Sequence, residues 1–485
     1  MQQAFTAGES SARAQRVAVF ALMILICLYL IASPVWYPRL APRMYDNARL
    51  LEIGFAVLGA GFLLVPSISS GICSAWVALG ASRWLIVVFL GGGAVSAALS
   101  GVPQVGALQV GLVTLLVALF LLIAGLVRSE QVETEKRIAM ALFAGAALVV
   151  LKFWILFLLH FMEAKAFSWV SPFLDFANVR FFGQYQAYVL LLLPAVAYLV
   201  PLNRIGRLSV YLVAASFWSL QFMVGTRAIW VGFAAAIVAI LIVMRRGRVQ
   251  WLRIQTVLVL AGGGIYLLFS SLVLQQPNAT PIPVKNSVLE RDWNSISERK
   301  TMAVAAVRLV GKHPLLGVGP GQFGFHYDST IAAHPHNTPL QFWSEYGVIA
   351  GTAGVALGAM LVAFGLRTVR ERSRDEPDPI TAGVAAALVM GLTDSLLSGN
   401  LTMPHSQILC AVLAGWLAGR AWSGRHLPDH ASPTRLKVPL VGSVLLAVSV
   451  TSLLSLEYLN VIREMPSPPG IRVPNFWQYG RFDAW

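Results

Sequence analysis

Apolar runs of about 17 residues or more recur from one end of the chain to the other, separated by short polar breaks rich in arginine. Each run is long enough to cross a hydrocarbon core about 30 Å thick, because an α-helix rises about 1.5 Å per residue. The pattern predicts spans at 17–32, 48–66, 83–99, 104–127, 138–160, 185–201, 207–224, 228–244, 251–274, 343–366, 380–398, 404–420 and 437–458. The expected fold is therefore an all-α polytopic membrane protein with about 12–13 transmembrane helices. Its weakest points are the Ser/Gly/Ala-rich stretch 67–82 and the tail after residue 458. The first run starts at Val17 and ends at Ser33-Pro34-Val35-Trp36 without a small-x-small cleavage site, so it reads as the first span.

Composition supports the pattern: of 485 residues, 57% are hydrophobic and 12% charged. A soluble domain carries about 25% charged residues. The formal net charge of +14 could point to nucleic acid, but its placement gives it a different meaning. With the N-terminus inside, Arg128/Lys136/Arg137, Arg204/Arg207, Arg245/Arg246/Arg248/Arg253, Arg367/Arg370/Arg372/Arg374 and Arg420/Arg425/Arg435/Lys437 all fall on the inner side. That is the distribution by which cationic loops set orientation, so no nucleic-acid partner is implied. Cys27, Cys73 and Cys410 lie in apolar segments and read as small buried hydrophobes.

The same orientation places 275–342 on the outer face. The chain divides into 1–274 with nine spans, the loop 275–342, 343–458 with four spans, and the tail 459–485 with its Pro466, Pro468, Pro469 and Pro474. Long loops in compact proteins are functional or disordered. This one carries Trp293, Leu315, Leu316, Phe323, Phe325 and Ile331, which is a composition for folding.

Candidate chemistry concentrates there. Ser295-Ile-Ser-Glu298 has the form of a capping box, and helical sequence follows to Lys312 before His313-Pro314. Met302, Ala303, Ala306, Leu309 and Val310 form one stripe of that helix, with Arg299 near its centre. An inward guanidinium needs an anion, either Glu290 or Asp292 or a ligand. Next, Gly319-Pro-Gly321-Gln-Phe-Gly324 spells G-x-G-x-x-G, but no strand precedes it and a proline interrupts it. A dinucleotide site needs a strand–turn–helix context, so the run reads as a turn that lets backbones pack closely. In His334-Pro-His336-Asn337-Thr338-Pro339-Leu340-Gln341, Thr338 fits an N-cap, Pro339 the first helical position and Gln341 the third. His336 then sits before a helix N-terminus, where the dipole disfavours imidazolium and welcomes phosphate. His313, His326, His334 and His336 could be weighed as zinc ligands, but no thiolate is near and no D-x-D pair occurs in the outer loops. No metal and no cofactor is expected. Arg180, with Gln184 beside it, and Arg227 stand at outer edges of spans. There they either snorkel to lipid phosphates or bind an anionic substrate.

The run from Arg299 through His313-Pro-Leu-Leu-Gly317-Val-Gly319, then His334-Pro-His336-Asn337, Leu340-Gln341 and Glu345-Tyr-Gly347, resembles the O-antigen ligase/polymerase superfamily. The Thr226-Arg227-Ala228 turn is similar to that family's Ser-Arg-Gly element, with different flanking residues. The resemblance is strongest over 180–365. It implies a metal-independent, inverting glycosyltransferase of the C-type membrane fold in the bacterial inner membrane, its active site facing the periplasm. The implied donor is a glycan on undecaprenyl diphosphate, and the implied ligase acceptor is lipid A–core oligosaccharide. His336 would act as base or acceptor-positioning group, and Arg227, Arg299 and Arg180 would hold the diphosphate. Gln184 and Asn337 are secondary binding candidates. The competing readings are an O-antigen polymerase, a protein O-oligosaccharyltransferase and a lipid-linked sugar flippase. A short segment after the last span argues against the second, and the outer cations Lys285, Arg291, Arg308 and Lys312 suit a phosphorylated acceptor.

Overall fold

Inside a bilayer the backbone must satisfy its own N–H and C=O groups, so apolar spans become helices. In a computed structural model, which describes residues 2–163, 171–274, 294–327, 333–423, 433–464 and 477, every predicted span lies on helical chain, and the described residues contain no strand. The helices are α1 (Gln2–Ala32), α2 (Met44–Gly61), α3 (Pro66–Ala78), α4 (Ser82–Ala98), α5 (Pro103–Ser129), α6 (Gln131–Met162), α7 (Val179–Val189), α8 (Val196–Leu199) and α9 (Arg204–Val224). There follow α10 (Arg227–Val243), α11 (Arg248–Leu274), α12 (Asn294–Lys312), α13 (Phe323–His326), α14 (Thr338–Arg372), α15 (Pro379–Ser395), α16 (Pro404–Trp422) and α17 (Pro433–Glu464). Among the described residues, nine spans are long and apolar enough to cross a membrane, or ten when a bent pair counts as one. The apolar helices α10 and α15 are shorter, at 17 residues each.

Three expectations change in detail. The weak stretch at 67–82 is helical: α3 and α4 form a pair bent by 104°. The predicted span 185–201 begins earlier, at Val179, and Pro194 breaks it, because proline lacks the N–H an α-helix interior needs. Residues 182–197 are all buried, so this broken segment is enclosed by the other helices. The predicted span 343–366 belongs to a longer helix interrupted at Gly347, whose φ of +78° lies outside the helical region. A short helix, 338–346, therefore precedes the span proper.

Packing between spans uses small residues, since lipid is as apolar as leucine and gives no hydrophobic drive to association. Gly415 and Gly419 of α16 lie against α5, where a Cβ at Gly415 would sit 2.5 Å from the Phe120 carbonyl oxygen and one at Gly419 2.8 Å from that of Ala124.

The two ends of the bundle differ sharply. At one end, Arg420 pairs with Asp378 at 3.0 Å and with Glu135 at 2.5 Å, and Arg372 pairs with Asp378 at 2.9 Å. The Arg246 amide donates to the Ser373 carbonyl at 3.1 Å, which brings the 245–248 and 373–378 breaks together. Arg420 is buried, so it ties helices together instead of only marking a loop. At the other end, the Tyr45 hydroxyl donates to the Thr402 carbonyl at 2.7 Å and the Tyr458 hydroxyl to Asp46 at 3.1 Å. Trp477 stacks on Tyr458 with centroids 4.0 Å apart. The C-terminal end of α17 thus shares its end of the bundle with the starts of α2 and α16. Single cysteines at Lys300 and Asn460 are expected to react with a membrane-impermeant maleimide from one side, and one at Arg370 from the other; labelling of Asn460→Cys and Arg370→Cys from the same side would contradict this arrangement.

Candidate active site

Four helix ends build the site, and the turn after α15 links them. The Thr338 hydroxyl donates to the Ser395 carbonyl at 3.0 Å, and the Asn337 side-chain amide donates to the Leu396 carbonyl at 2.8 Å. The other end of the Asn337 side chain accepts the Leu340 amide at 2.9 Å, which makes Asn337 the N-cap of α14. The expected cap at Thr338 therefore moves back one residue, because the Thr338 hydroxyl is engaged with α15. Gln341, expected at the third helical position, instead donates to Glu345 at 3.3 Å.

The cap fixes the two histidines before it. His336 is a non-glycine residue with φ of +53°, in the left-handed region that side chains avoid. Its amide donates to His334 Nδ1 at 3.2 Å, and the two rings meet edge to face at 4.3 Å. His334 is completely buried, and Gly399 lies flat against it: a Cβ there would fall 2.0 Å from His334 Cε1. Such strain persists only where surroundings over-determine it, and it clusters at functional sites. Burial, then the charges of Arg299 and Arg180, push the His336 imidazole down to about 4. Burial and the neighbouring His336 hold His334 well below the ordinary histidine range. For His336 the neutral form is the one expected from sequence, and here burial and arginine charge favour it.

The arginines approach from different elements. Arg180 opens α7, whose N-cap Asn178 accepts the Arg180 amide at 2.9 Å. The residue before that cap, Ala177, has φ of +60°, so both non-glycine residues with positive φ among the described residues stand in turns that feed site helices. Arg299 lies on α12, exposed, with Met302, Ala306 and Leu309 buried behind it. The predicted stripe is present, but Arg299 is not inside it; the side chain sits at its solvent edge, and its charge reaches His336. The proposed partners Glu290 and Asp292, with Lys285, Arg291, Trp293 and Ile331, lie outside the described residues, as do Arg425, the Pro-rich tail and the side chains of Ser295, Glu298 and Arg435. Arg227 is exposed at the first turn of α10. A Cβ on Gly183 would touch Thr226 Oγ1 at 2.9 Å, so the Arg227 turn packs one helical turn from Arg180.

The glycine turn supports the site from below. Gly317, Gly319 and Gly321 all have positive φ, and the turn runs from α12 to α13 with no strand before it. It pairs edgewise with the interruption in α14: Val318 donates to the Ser344 carbonyl at 2.9 Å, Gly319 to that of Glu345 at 3.0 Å, and Val348 to that of Pro314 at 2.8 Å. The Glu345 carboxylate accepts the Gly321 and Phe323 amides at 3.0 and 3.2 Å. His313 and His326 pair separately, with rings 6.4 Å apart, and no group of three or more potential metal ligands occurs among the described residues.

One cluster escaped the sequence reading. Asp394, fully buried, accepts the Ser398 hydroxyl at 2.8 Å and the Asn400 amide at 2.7 Å. Gln184, read as a ligand contact, donates to that same Ser398 at 3.2 Å. Asp394 feels the charge of Arg299, so the last turn of α15 brings a carboxylate toward the site. The available signal was a charged residue inside an otherwise apolar run, which marks function in a membrane protein by default.

Residues 211–356 match the family model described as O-antigen ligase. The matched stretch contains Arg227, Arg299, the glycine turn, His334, His336, Glu345 and Gly347, and it leaves Arg180, Gln184 and Asp394 outside. The motif-based resemblance is thereby borne out, and with it an activity of the O-antigen ligase/polymerase type in a multi-pass membrane protein. No curated protein matches the chain.

The packing of Gly399 on His334 makes a direct prediction. Gly399→Ala is expected to displace both histidines and lower glycan transfer by about 10²-fold, the scale of a misplacement near 1 Å. The melting temperature of the purified variant reports whether the bundle stays folded. A folded variant with wild-type rate would remove this turn from control of His336.

Proposed function

We propose that this protein, whose residues 211–356 match the O-antigen ligases, transfers a glycan from undecaprenyl diphosphate to lipid A–core oligosaccharide on the periplasmic face of the bacterial inner membrane. The observation that carries the reading is His336, held in left-handed backbone against His334 just before the Asn337 cap of α14, where burial first and then the charges of Arg299 and Arg180 favour its neutral form. A neutral imidazole can take a proton, and guanidinium groups match phosphate oxygens. The arginine-rich breaks gather at the far end of the bundle, which supports a site on the side away from the cytoplasm.

The chemistry asks mainly for positioning and charge stabilisation, because a sugar on diphosphate already carries a good leaving group. Arg227, Arg299 and Arg180 hold the diphosphate. An acceptor hydroxyl attacks the anomeric carbon opposite it, and the bond to the diphosphate oxygen breaks with its electron pair leaving on phosphate. His336 takes the hydroxyl proton or holds that hydroxyl in line. One displacement inverts the anomeric centre, with no cofactor and no metal. Both ends of the Asn337 side chain are engaged in the cap, so its contribution is to hold the His336 turn. Gln184 supports the same turn through Ser398. Arg308 and Lys312, exposed on α12, suit the phosphates of a lipid A–core acceptor.

Purified protein given the polyprenyl-linked donor and lipid A–core, with EDTA present, is expected to form the inverted product. His336→Ala should lose about 10²–10⁴ in rate. Arg227→Ala should lose about 10²–10³, the scale of one electrostatic donor. Elongation of the donor glycan on its own lipid would make the protein a polymerase. Transfer to Ser or Thr of a protein would make it an oligosaccharyltransferase, and donor crossing a vesicle membrane without product a flippase.

The pH dependence follows from the charges. In the free enzyme His336 is lowered to about 4, so the acid limb of kcat/KM should fall near there, with a flat profile from about pH 5 to 8. Bound diphosphate brings negative charge that favours imidazolium, so the limb in kcat should lie at higher pH. Coincident limbs would mean that the diphosphate does not sit beside His336.

A further inference from the structure

A charged pair lies buried in a helix that carries none of the candidate site residues. Arg49 stands on the second turn of α2 and Glu52 on the third; the two form an ion pair, and each side chain is 1% exposed. Ionisable groups enclosed among apolar spans are functional candidates by default. They are weak evidence of a stabilising role, because a buried ion pair can often be exchanged for apolar residues of similar volume without loss of stability. The role of this pair is set by where the guanidinium points.

It points at one turn. Arg49 donates to the Thr402 carbonyl at 2.7 Å, to the Tyr45 hydroxyl at 3.1 Å and to Gln407 Oε1 at 2.6 Å. Tyr45 donates to that same Thr402 carbonyl at 2.7 Å, and the Gln407 side-chain amide donates to the Leu401 carbonyl at 2.8 Å. Arg49 and two side chains bonded to it thus close on consecutive carbonyls of the 399–402 turn. Within the turn, Thr402 returns its amide, at 3.0 Å, and its hydroxyl, at 2.6 Å, to the Gly399 carbonyl. Gly399 is the residue whose missing side chain makes room for His334, and His334 Nδ1 accepts the His336 amide. From α2 to His336 the chain of contacts runs through Arg49, Thr402, Gly399 and His334, each step a hydrogen bond or direct packing.

We propose that Arg49 is a positioning residue for glycan transfer: it fixes the 399–402 turn and, through Gly399 and His334, the place of His336. The proposal rests on the transferase reading above. A guanidinium suits the task because its planar fork of donors holds Thr402, Tyr45, Gln407 and Glu52 in one geometry, which a point charge would not. Glu52 offsets the charge, so the fork stays buried beneath the turn.

Arg49→Met alone would strand the Glu52 charge in an apolar interior, so the test combines it with Glu52→Leu. The purified double variant is expected to melt close to the wild-type temperature. Its kcat should fall by about 10²-fold while KM for the polyprenyl-linked donor stays within about twofold, since a displaced base slows the chemical step without touching the donor. Modification of His334 by diethyl pyrocarbonate, read by peptide mass spectrometry, needs no substrate and should run about tenfold faster once the turn is released. An unchanged kcat, or a lowered kcat with His334 modified at the wild-type rate, overturns the proposal. Should the double variant not fold, Tyr45→Phe keeps the ion pair and removes one bond to Thr402; it should move kcat and His334 reactivity the same way by about threefold or more, and no change in either overturns the proposal. Faster modification of His334 in the variants, with no glycan transfer by the wild-type protein to any acceptor, would keep Arg49 in control of the histidines and sink the transferase reading instead.

Discussion

The turn that ends α15 is where the site is held together. A helix C-terminus leaves carbonyls without partners, and near the edge of a bilayer those groups need partners from the protein. Here the Ser395 and Leu396 carbonyls are met by Thr338 and Asn337, the two residues that start α14. One helix's unmet acceptors are thus satisfied by the next helix's cap. The same turn presents Gly399 to His334 and collects Ser398 and Asn400 around Asp394. The left-handed backbone of His336 is tolerated because its neighbours on both sides are fixed by these bonds.

Charge follows from that geometry. Burying an imidazole beside two guanidinium groups is unfavourable for its protonated form, and the protein resolves this by keeping His336 neutral. What results is a cationic, partly enclosed place with an unprotonated nitrogen base beside it.

The glycine and Glu-x-Gly motifs turn out to be two sides of one contact. A Cβ on Gly347 would lie 2.0 Å from the Leu315 carbonyl oxygen, and one on Gly317 would lie 2.5 Å from the Glu345 carbonyl carbon. Glycine is required on both strands of chain for the backbones to approach and exchange hydrogen bonds. Glu345 serves the contact twice, through its carbonyl and through its carboxylate. The motif therefore builds the floor on which the α14 cap rests, some residues away from any reacting atom.

Much of this was legible in the chain itself. Apolar run length determined the spans, because only helices satisfy the backbone in lipid, and the placement of arginine determined which breaks gather at one end. Local signals also located a helix starting after His336 and an apolar stripe behind Arg299. Residue order could not say which side chain would cap, since Asn337 and Thr338 compete and the α15 carbonyls decide the outcome. Nor could it show that Ala177 and His336 take left-handed backbone, that Arg420 is buried in ion pairs, or that Asp394 lies under the site. The Arg420 pairs join residues 42 and 285 positions apart, and the left-handed turn at His336 is held by bonds to another helix. Hydropathy along a chain records how each segment meets solvent or lipid, whereas a buried charge is set by the partner it finds across the bundle.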